Sequence, residues 1–220
     1  MSCREEAKRL HGQQRGETRM ANQVSAEWLF PVPLFQKDLD DFSQRQAELI
    51  SYVAKLRERA PGVSKSNVGG WQSNNFQHFT DEPLAWLQQQ VVQTARESLC
   101  QFGQNKSHLD IHIDGAWFNV NKANEWNLPH THMPCRWGGV LYIDVDNSQT
   151  GRHTGNIIFI DPIPLGPTYR NPINSFATPR SGLMFIFPGY LTHMVEPHTS
   201  PRDRISFAFN FHSSQPTNPN

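Results

Sequence analysis

The chain has 220 residues, 37% of them hydrophobic, and its 20 lysines and arginines balance 20 aspartates and glutamates. This size and apolar content predict one globular domain, while zero net charge argues against a general attraction to nucleic acid or anionic membranes. No apolar run approaches the roughly 18 residues that span a bilayer, and residues 1–20 contain no signal-peptide-like run. Three widely spaced cysteines, an odd number, indicate free thiols. We therefore expect a cytoplasmic protein that binds neither nucleic acid nor membrane.

The two ends of the chain differ in character from its middle. Residues 1–23 are polar and charged without apolar periodicity, which predicts a disordered tail. Met20 is an alternative to Met1 as the true start of translation. A single domain is expected over residues 24–214, followed by a short tail at 215–220.

Helices are predicted only in the first half of the domain. Apolar residues recur at helical spacing over about 41–59 and again over about 83–102, where Pro83 suits a first turn and Gly103 a stop. The intervening segment Ser64–Ser73 is rich in Ser, Asn and Gly. It is either a packed surface loop or part of the entrance to a site.

From about residue 108 to 212 the sequence becomes prone to β structure. Further upstream, the apolar stretch Trp28–Phe35 contains two prolines, which exclude a central strand and leave an edge position open to it. The segments rich in Ile, Val, Phe or Tyr and bounded by turn residues are Ile111–Asn121, Gly139–Val145, Asn156–Asp161, Gly182–Phe187 and Arg204–Phe211. Because no helix separates these strands, the sequence predicts a mainly β protein with N-terminal helices, built as an antiparallel sandwich or jelly roll.

The last predicted strand has two contrasting faces. One face carries large apolar side chains and must be buried: Ile205, Phe207, Phe209 and Phe211. The other is small and polar: Arg204, Ser206, Ala208 and Asn210. This second face fits the lining of a polar cavity as well as it fits contact with solvent.

Three histidines and an arginine form a candidate metal and anion site. His130 and His132 are two residues apart, so in an extended segment their side chains point to the same side. His193 follows a strong apolar strand, and Arg204 begins the last one. Three imidazoles suit iron, zinc or copper and leave positions open for a substrate. Arg204 offers a two-pronged donor for a carboxylate, the alternative being a surface salt bridge with Asp203.

An ordered set of short motifs extends this pattern over most of the chain, from about Phe30 to Phe211. The motifs are SNVGGWQS at 66–73, WFNVN at 117–121, HTH at 130–132, GGVLYI at 138–143, FIDP at 159–162, FPGYLTH at 187–193 and RISFAFN at 204–210. In this set and order the chain resembles the iron(II)/2-oxoglutarate-dependent oxygenases, and in particular a bacterial and phage-associated branch of them.

The resemblance implies a fold, two cofactors and a reaction. The fold is a double-stranded β-helix, a form of jelly roll, with the helices packed on its major sheet. Fe(II) is the metal and 2-oxoglutarate the cosubstrate. The reaction couples decarboxylation of 2-oxoglutarate to succinate with oxidation, expected to be hydroxylation, of a small-molecule or peptide substrate that the sequence does not identify.

The resemblance also implies roles for single residues. His130 begins the metal motif and His193 is its distal histidine. Arg204 pairs with the distal carboxylate of 2-oxoglutarate, and Tyr142 matches a strand position whose hydroxyl helps to hold that group. Two residues of one strand face are candidates to hydrogen-bond the cosubstrate or the surroundings of the metal: Asn119 and Asn121.

One position departs from the pattern of the family. The usual motif is His-x-Asp/Glu, whereas the acidic position is occupied here by His132. Three-His ligation, which resembles that of cupin dioxygenases, is favoured; the alternative is that Asp161 or Asp114 completes the triad. Two other functions stay open, namely a three-His cupin-like dioxygenase that uses no 2-oxoglutarate and a non-catalytic jelly-roll binding module.

Overall fold

The computed structural model describes residues 32–102, 109–148, 154–163 and 174–214. The predicted tails at 1–23 and 215–220 lie outside these ranges. Within them the chain forms two helices and eleven strands, and most of the strands follow the second helix. None of the described helices is long and apolar enough to cross a membrane.

The two helices cover the outer face of the larger sheet. Helix α1 runs from Phe42 to Arg59 and α2 from Glu82 to Cys100, where the sequence predicts helices over about 41–59 and 83–102. Pro83 lies in the first turn of α2. Each helix buries one apolar stripe in a core shared with the sheet, and the central residues of α2 in that stripe are fully buried.

The cysteine prediction is correct for one described residue and wrong for another. Cys135 is a free thiol. Cys100, the last residue of α2, is disulfide-bonded. Pairing between distant cysteines depends on how the fold brings chain segments together, and the spacing of cysteines in a sequence does not reveal it.

The strands form two antiparallel sheets packed face to face. In chain order they are β1 Phe35–Asp38, β2 Asn67–Val68, β3 Trp71–Gln72, β4 Asp110–Asn121, β5 Trp126–His130, β6 Trp137–Asp144, β7 Ile157–Ile160, β8 Asn174–Ala177, β9 Leu183–Pro188, β10 His193–Val195 and β11 Arg204–Ser214. The larger sheet has the order β1-β9-β6-β11-β4-β3 and the smaller one β2-β5-β10-β7-β8. This mainly β, two-sheet architecture with N-terminal helices confirms the predicted jelly-roll class.

Strand β11 explains how the larger sheet can be buried on both faces. Phe207, Phe209 and Phe211 lie in the core beneath the helices and are fully buried. The alternate residues of the strand point towards the smaller sheet. A second apolar cluster, which includes Phe159 and Phe187, fills part of the space between the sheets and leaves the rest as a cavity.

The segment Ser64–Ser73 is more ordered than the loop that the sequence predicts. Its first half, β2, pairs with β5 in the smaller sheet, and its second half, β3, pairs with β4 in the larger one. Trp71 anchors it by donating its indole N–H to the carbonyl of Ala60 at 2.9 Å. The segment therefore bridges the two sheets, and Lys65, Ser66 and Gln72 line the cavity between them.

Candidate metal and cosubstrate site

A cavity of about 900 Å³ lies between the two sheets. Six of the seven residues that the sequence nominates for the site line it: His130, His132, His193, Arg204, Tyr142 and Asn119. The smaller sheet supplies two of the histidines, while the larger sheet supplies Arg204, Tyr142 and Asn119. The sandwich thus places a candidate metal group and a candidate anion group in one space.

Strand pairing brings the three histidines together. His130 ends β5, His193 begins β10, and the two residues are direct partners in the antiparallel ladder. His132 follows β5 by two residues and turns back towards them. One nitrogen of each ring lies within 4.8 Å of the other two, and Nε2 of His132 is 3.2 Å from Nε2 of His193.

Backbone carbonyls fix the orientation of two of these rings. Nδ1 of His130 is 2.7 Å from the carbonyl oxygen of Leu128, and Nδ1 of His193 is 2.9 Å from that of Leu191. A carbonyl only accepts hydrogen bonds, so each Nδ1 carries the proton and each Nε2 keeps its lone pair. This is the tautomer in which a neutral histidine binds a metal through Nε2.

Aromatic packing holds the third ring. His132 is 8% exposed and stacks on His193, with ring centroids 4.9 Å apart and planes at 9°. The indole of Trp117 stacks beside it at 5.9 Å and 27°. Gly138 makes room, because a Cβ at that position would lie 2.8 Å from Cδ2 of His132. Trp117 was not nominated from the sequence, although it shares a strand face with Asn119.

Burial keeps the three imidazoles neutral. It lowers the pKa of His130. It also lowers the pKa of His132 to about 4 and that of His193 to about 3, and for these two residues repulsion from the neighbouring rings adds to the effect. At neutral pH a metal therefore does not have to compete with the charging of these rings by an additional proton.

The geometry fits a first-row metal held by three histidines. Two imidazole nitrogens bound at about 2.1 Å lie about 3 Å apart when their bonds meet at right angles, close to the observed 3.2 Å. Among the described residues no carboxylate belongs to this group. Asp114 belongs to a separate cluster, and Asp161 accepts a hydrogen bond from the backbone N–H of Ile163 at 2.9 Å.

Arg204 is a buried cation that forms no salt bridge with a carboxylate among the described residues. It is 4% exposed and donates from Nη1 to the carbonyl of Gly155 at 2.8 Å and from Nη2 to Oδ1 of Asn121 at 2.9 Å. Its Nε is buried without a hydrogen-bond partner in the described part of the chain. Burial lowers its pKa. Asp203 pairs instead with Arg57 at 2.9 Å, so the surface salt bridge considered for Arg204 is not formed.

Tyr142 and Asn119 surround the same end of the cavity. Tyr142 is 2% exposed and lies opposite Ser206 in the ladder of β6 and β11. Burial raises the pKa of Tyr142 to about 12, so its hydroxyl remains a donor at neutral pH. Oδ1 of Asn119 is buried without a partner among the described residues. Asn121 does not line the cavity; it contacts Arg204 from behind.

The jelly roll holds a three-imidazole group and a buried arginine in one central cavity, the arrangement that the resemblance to Fe(II)/2-oxoglutarate-dependent oxygenases predicts. Sequence comparison agrees, since residues 115–210 match a family described as "Putative 2OG-Fe(II) oxygenase". This range contains all the nominated metal and cosubstrate residues. No curated protein matches the chain.

Several solved structures share the fold of this chain at low sequence identity. A Pseudomonas putida prolyl-4-hydroxylase is 15% identical, with a TM-score of 0.58 over 82% of this chain and 92% of that one. HygX from Streptomyces hygroscopicus, solved with nickel and 2-oxoglutarate, is 11% identical, with a TM-score of 0.59 over 82% of each chain. The α-ketoglutarate-dependent epimerase SnoN from nogalamycin biosynthesis is 11% identical, with a TM-score of 0.61 over 84% and 80%.

Over residues 115–210, less than half of its length, the chain is therefore similar to a family of 2OG-Fe(II) oxygenases, and it shares its fold with the three solved structures.

Proposed function

We propose that this protein is an Fe(II)- and 2-oxoglutarate-dependent oxygenase that couples the decarboxylation of 2-oxoglutarate to succinate with the hydroxylation of a substrate held in the cavity between its sheets. The observation that carries the proposal is the state of Arg204. A guanidinium buried to this degree is costly unless an anion compensates it, and no salt bridge to a described carboxylate does so.

The missing anion is expected to be the distal carboxylate of 2-oxoglutarate. A guanidinium has five N–H donors, of which Asn121 and Gly155 occupy two, so the unpartnered Nε–H and its neighbours can still form a two-pronged contact. The hydroxyl of Tyr142 is a neutral donor for the same carboxylate. Asn121 acts through Arg204, whose guanidinium it positions.

We assign the metal to His130, His132 and His193. With three neutral imidazoles the site carries one more positive charge than a site with two histidines and a carboxylate. Because the distal carboxylate of 2-oxoglutarate is assigned to Arg204, only its other carboxylate would offset part of the charge of a divalent ion held there. When bound, Fe(II) and 2-oxoglutarate supply the oxidising chemistry with dioxygen; the residues of the chain hold and orient the two groups and exclude water.

The room that remains in the cavity is suited to part of a substrate. A volume of about 900 Å³ is at the upper end of the range of small-molecule pockets, which run to about 1,000 Å³. Leu128 and Met133 stand at its rim with 43% and 62% exposure. We infer a substrate that presents an apolar group beside the histidines.

The two rival functions make different demands on the cavity. A three-His dioxygenase without 2-oxoglutarate would need the histidines but not an uncompensated arginine facing them. A binding module would need no metal. The buried and unpaired Arg204 favours the 2-oxoglutarate-dependent reaction over both.

Anaerobic addition of Fe(II) and 2-oxoglutarate tests the proposal directly. We expect a weak visible charge-transfer absorption that requires both additions, and metal-dependent release of succinate after dioxygen is admitted. Metal binding without any effect of 2-oxoglutarate would support the three-His dioxygenase. The absence of both the absorption and succinate release would refute the enzymatic proposal.

A further inference from the structure

A second group of metal-binding side chains lies beside the cavity, outside the three-His group. It consists of Asp114, Cys135 and His212, and one donor atom of each lies within 4.8 Å of the other two. Oδ2 of Asp114 is 2.8 Å from Nε2 of His212 and accepts a hydrogen bond from the thiol of Cys135 at 3.3 Å. All three side chains are partly exposed, so an ion can reach them from solvent.

The fold assembles this group from three segments that are distant in sequence. Asp114 is the extra residue of a bulge, because the β4–β11 ladder passes from the pair Gly115–Asn210 directly to Ile113–Phe211. Bulges re-aim side chains and are frequent next to active sites. Beyond the bulge, His112 and His212 are direct partners.

A fourth donor stands next to the group. Nε2 of His112 is 3.5 Å from Oδ1 of Asp114, whereas Cys135 contacts the other oxygen, Oδ2. The side chain of His112 is 77% exposed and has the freedom to turn towards an ion. The cluster can therefore offer four protein ligands, or three ligands and a water molecule.

The arrangement does not suit a nucleophilic cysteine. Such a thiol needs a base, usually an imidazole, within hydrogen-bond reach. Here the thiol donates to Oδ2 of Asp114, and Nε2 of His212 contacts that same oxygen, so the hydrogen-bond partner of the thiol is a carboxylate and not an imidazole.

We propose that Asp114, Cys135 and His212 form a second, zinc-type metal site, with His112 or water as the fourth ligand. Sulfur, imidazole nitrogen and carboxylate oxygen are the donors that Zn²⁺ prefers. A thiolate and a carboxylate would together neutralise a divalent ion.

Two of the three separations between the donor atoms require only small movements to accept an ion. In a tetrahedral zinc site, donor atoms at about 2.0–2.3 Å from the metal lie about 3.3–3.6 Å apart. The observed separations of 2.8 Å and 3.3 Å are those of direct hydrogen bonds, which an ion would open by a few tenths of an ångström.

An ion at this position would stabilise the turn that carries His132. Cys135 closes that turn by donating its backbone N–H to the carbonyl of His132 at 2.9 Å. The proposed site would fasten the same turn to β4 and β11 through Asp114 and His212. Its role is therefore structural, and the inference does not rest on the proposed oxygenase reaction.

Cobalt titration of the reduced, metal-free full chain tests this site. In the variant His193→Ala, which weakens the three-His group, we expect Co²⁺ to produce a thiolate-to-metal absorption band and Zn²⁺ to abolish it by competition. The band should disappear in Cys135→Ser and His212→Ala, and Zn²⁺ affinity should fall more than about 100-fold, since the loss of an outer-shell partner alone costs about 10- to 100-fold. The exposed His78 provides a matched control, because His78→Ala should leave the band unchanged.

The readout separates this inference from the proposed function. A thiolate band in His193→Ala that depends on His212 supports the second site whether or not the enzyme releases succinate. The proposal fails if no thiolate band forms in a chain that melts cooperatively, or if the band survives in both His212→Ala and Asp114→Asn. Thermal melting of each variant shows that it is folded before the titration is interpreted.

Discussion

Replacing the buried Arg204 by methionine should uncouple cosubstrate binding from metal binding. Methionine has a similar unbranched stem but no donors. Arg204→Met therefore keeps much of the packing at the start of β11 while removing the cation. Breaking a buried, hydrogen-bonded charge pair by truncating one partner costs about 2–5 kcal/mol, which corresponds to about 30- to 4,000-fold in Kd.

The structure supports the lower end of this range of losses in affinity for 2-oxoglutarate. Two of the five guanidinium N–H groups are engaged by Gly155 and Asn121, so the remaining donors provide one two-pronged contact and no more. Isothermal titration of 2-oxoglutarate into the Mn²⁺-loaded protein, without dioxygen, measures the change. Arg204→Lys should lie between the wild type and Arg204→Met, because lysine keeps the charge and loses the fork.

Arg202 offers a matched control two residues away. It is exposed and donates to Asp144 at 2.8 Å. Exposed ion pairs contribute little, so Arg202→Met should change the Kd for 2-oxoglutarate by less than about threefold. If Arg204→Met binds 2-oxoglutarate within about threefold of the wild type, or if Arg202→Met loses as much, the assignment of Arg204 to the distal carboxylate is wrong.

Three further predictions concern the metal group and its surroundings. His132→Ala should lower Fe(II) affinity more than about tenfold in anaerobic titration, since it removes a ligand outright. Gly155→Ala should lower the melting temperature, because residue 155 has φ = 76° and this left-handed conformation costs a residue with a Cβ about 1–2 kcal/mol. It should also weaken 2-oxoglutarate binding, because the added Cβ would lie 3.0 Å from Nη1 of Arg204. The metal-free protein should lose stability as the pH falls from about 6.5 towards 4. In this range histidines of the unfolded chain bind protons, whereas His132 and His193 of the folded protein, with pKa values of about 4 and about 3, do not.

Each of these predictions has a result that would contradict it. Unchanged Fe(II) affinity in His132→Ala would remove that residue from the ligand set. Gly155→Ala with normal cosubstrate binding would show that Arg204 tolerates displacement. The melting temperature of the double variant His132→Gln, His193→Gln should fall less in acid than that of the wild type. An equal fall would show that these two histidines do not cause the loss of stability.

Long, strongly patterned segments could be predicted from the sequence because one face of each is fixed by burial. In β11 the alternation of phenylalanines with small polar residues predicted both the strand and its core-facing side. What it left open was the environment of the other face. The structure places Arg204 and Ser206 on the cavity wall, because a second sheet covers them. The environment of this face depends on tertiary packing, which the alternation of apolar and polar residues within one strand does not reveal.

The short strands carry most of what the sequence did not predict. β5 and β10 have five and three residues, too few for a clear pattern, yet their pairing places His130 opposite His193. The cluster around Asp114 was missed for a related reason. It depends on a bulge and on the register of β4 with β11, and no local motif records either one.

The division of the site between two sheets also bears on selectivity for the length of the cosubstrate. His130 and His193 belong to the smaller sheet, and Arg204 and Tyr142 to the larger one. On the proposed assignment, one molecule must touch both walls, whose separation in packed sheets is about 10 Å. The apolar side chains between the sheets set that gap. Discrimination between keto diacids of different length would then be a property of the sandwich itself, and a core substitution far from the metal would alter it without touching a single binding residue.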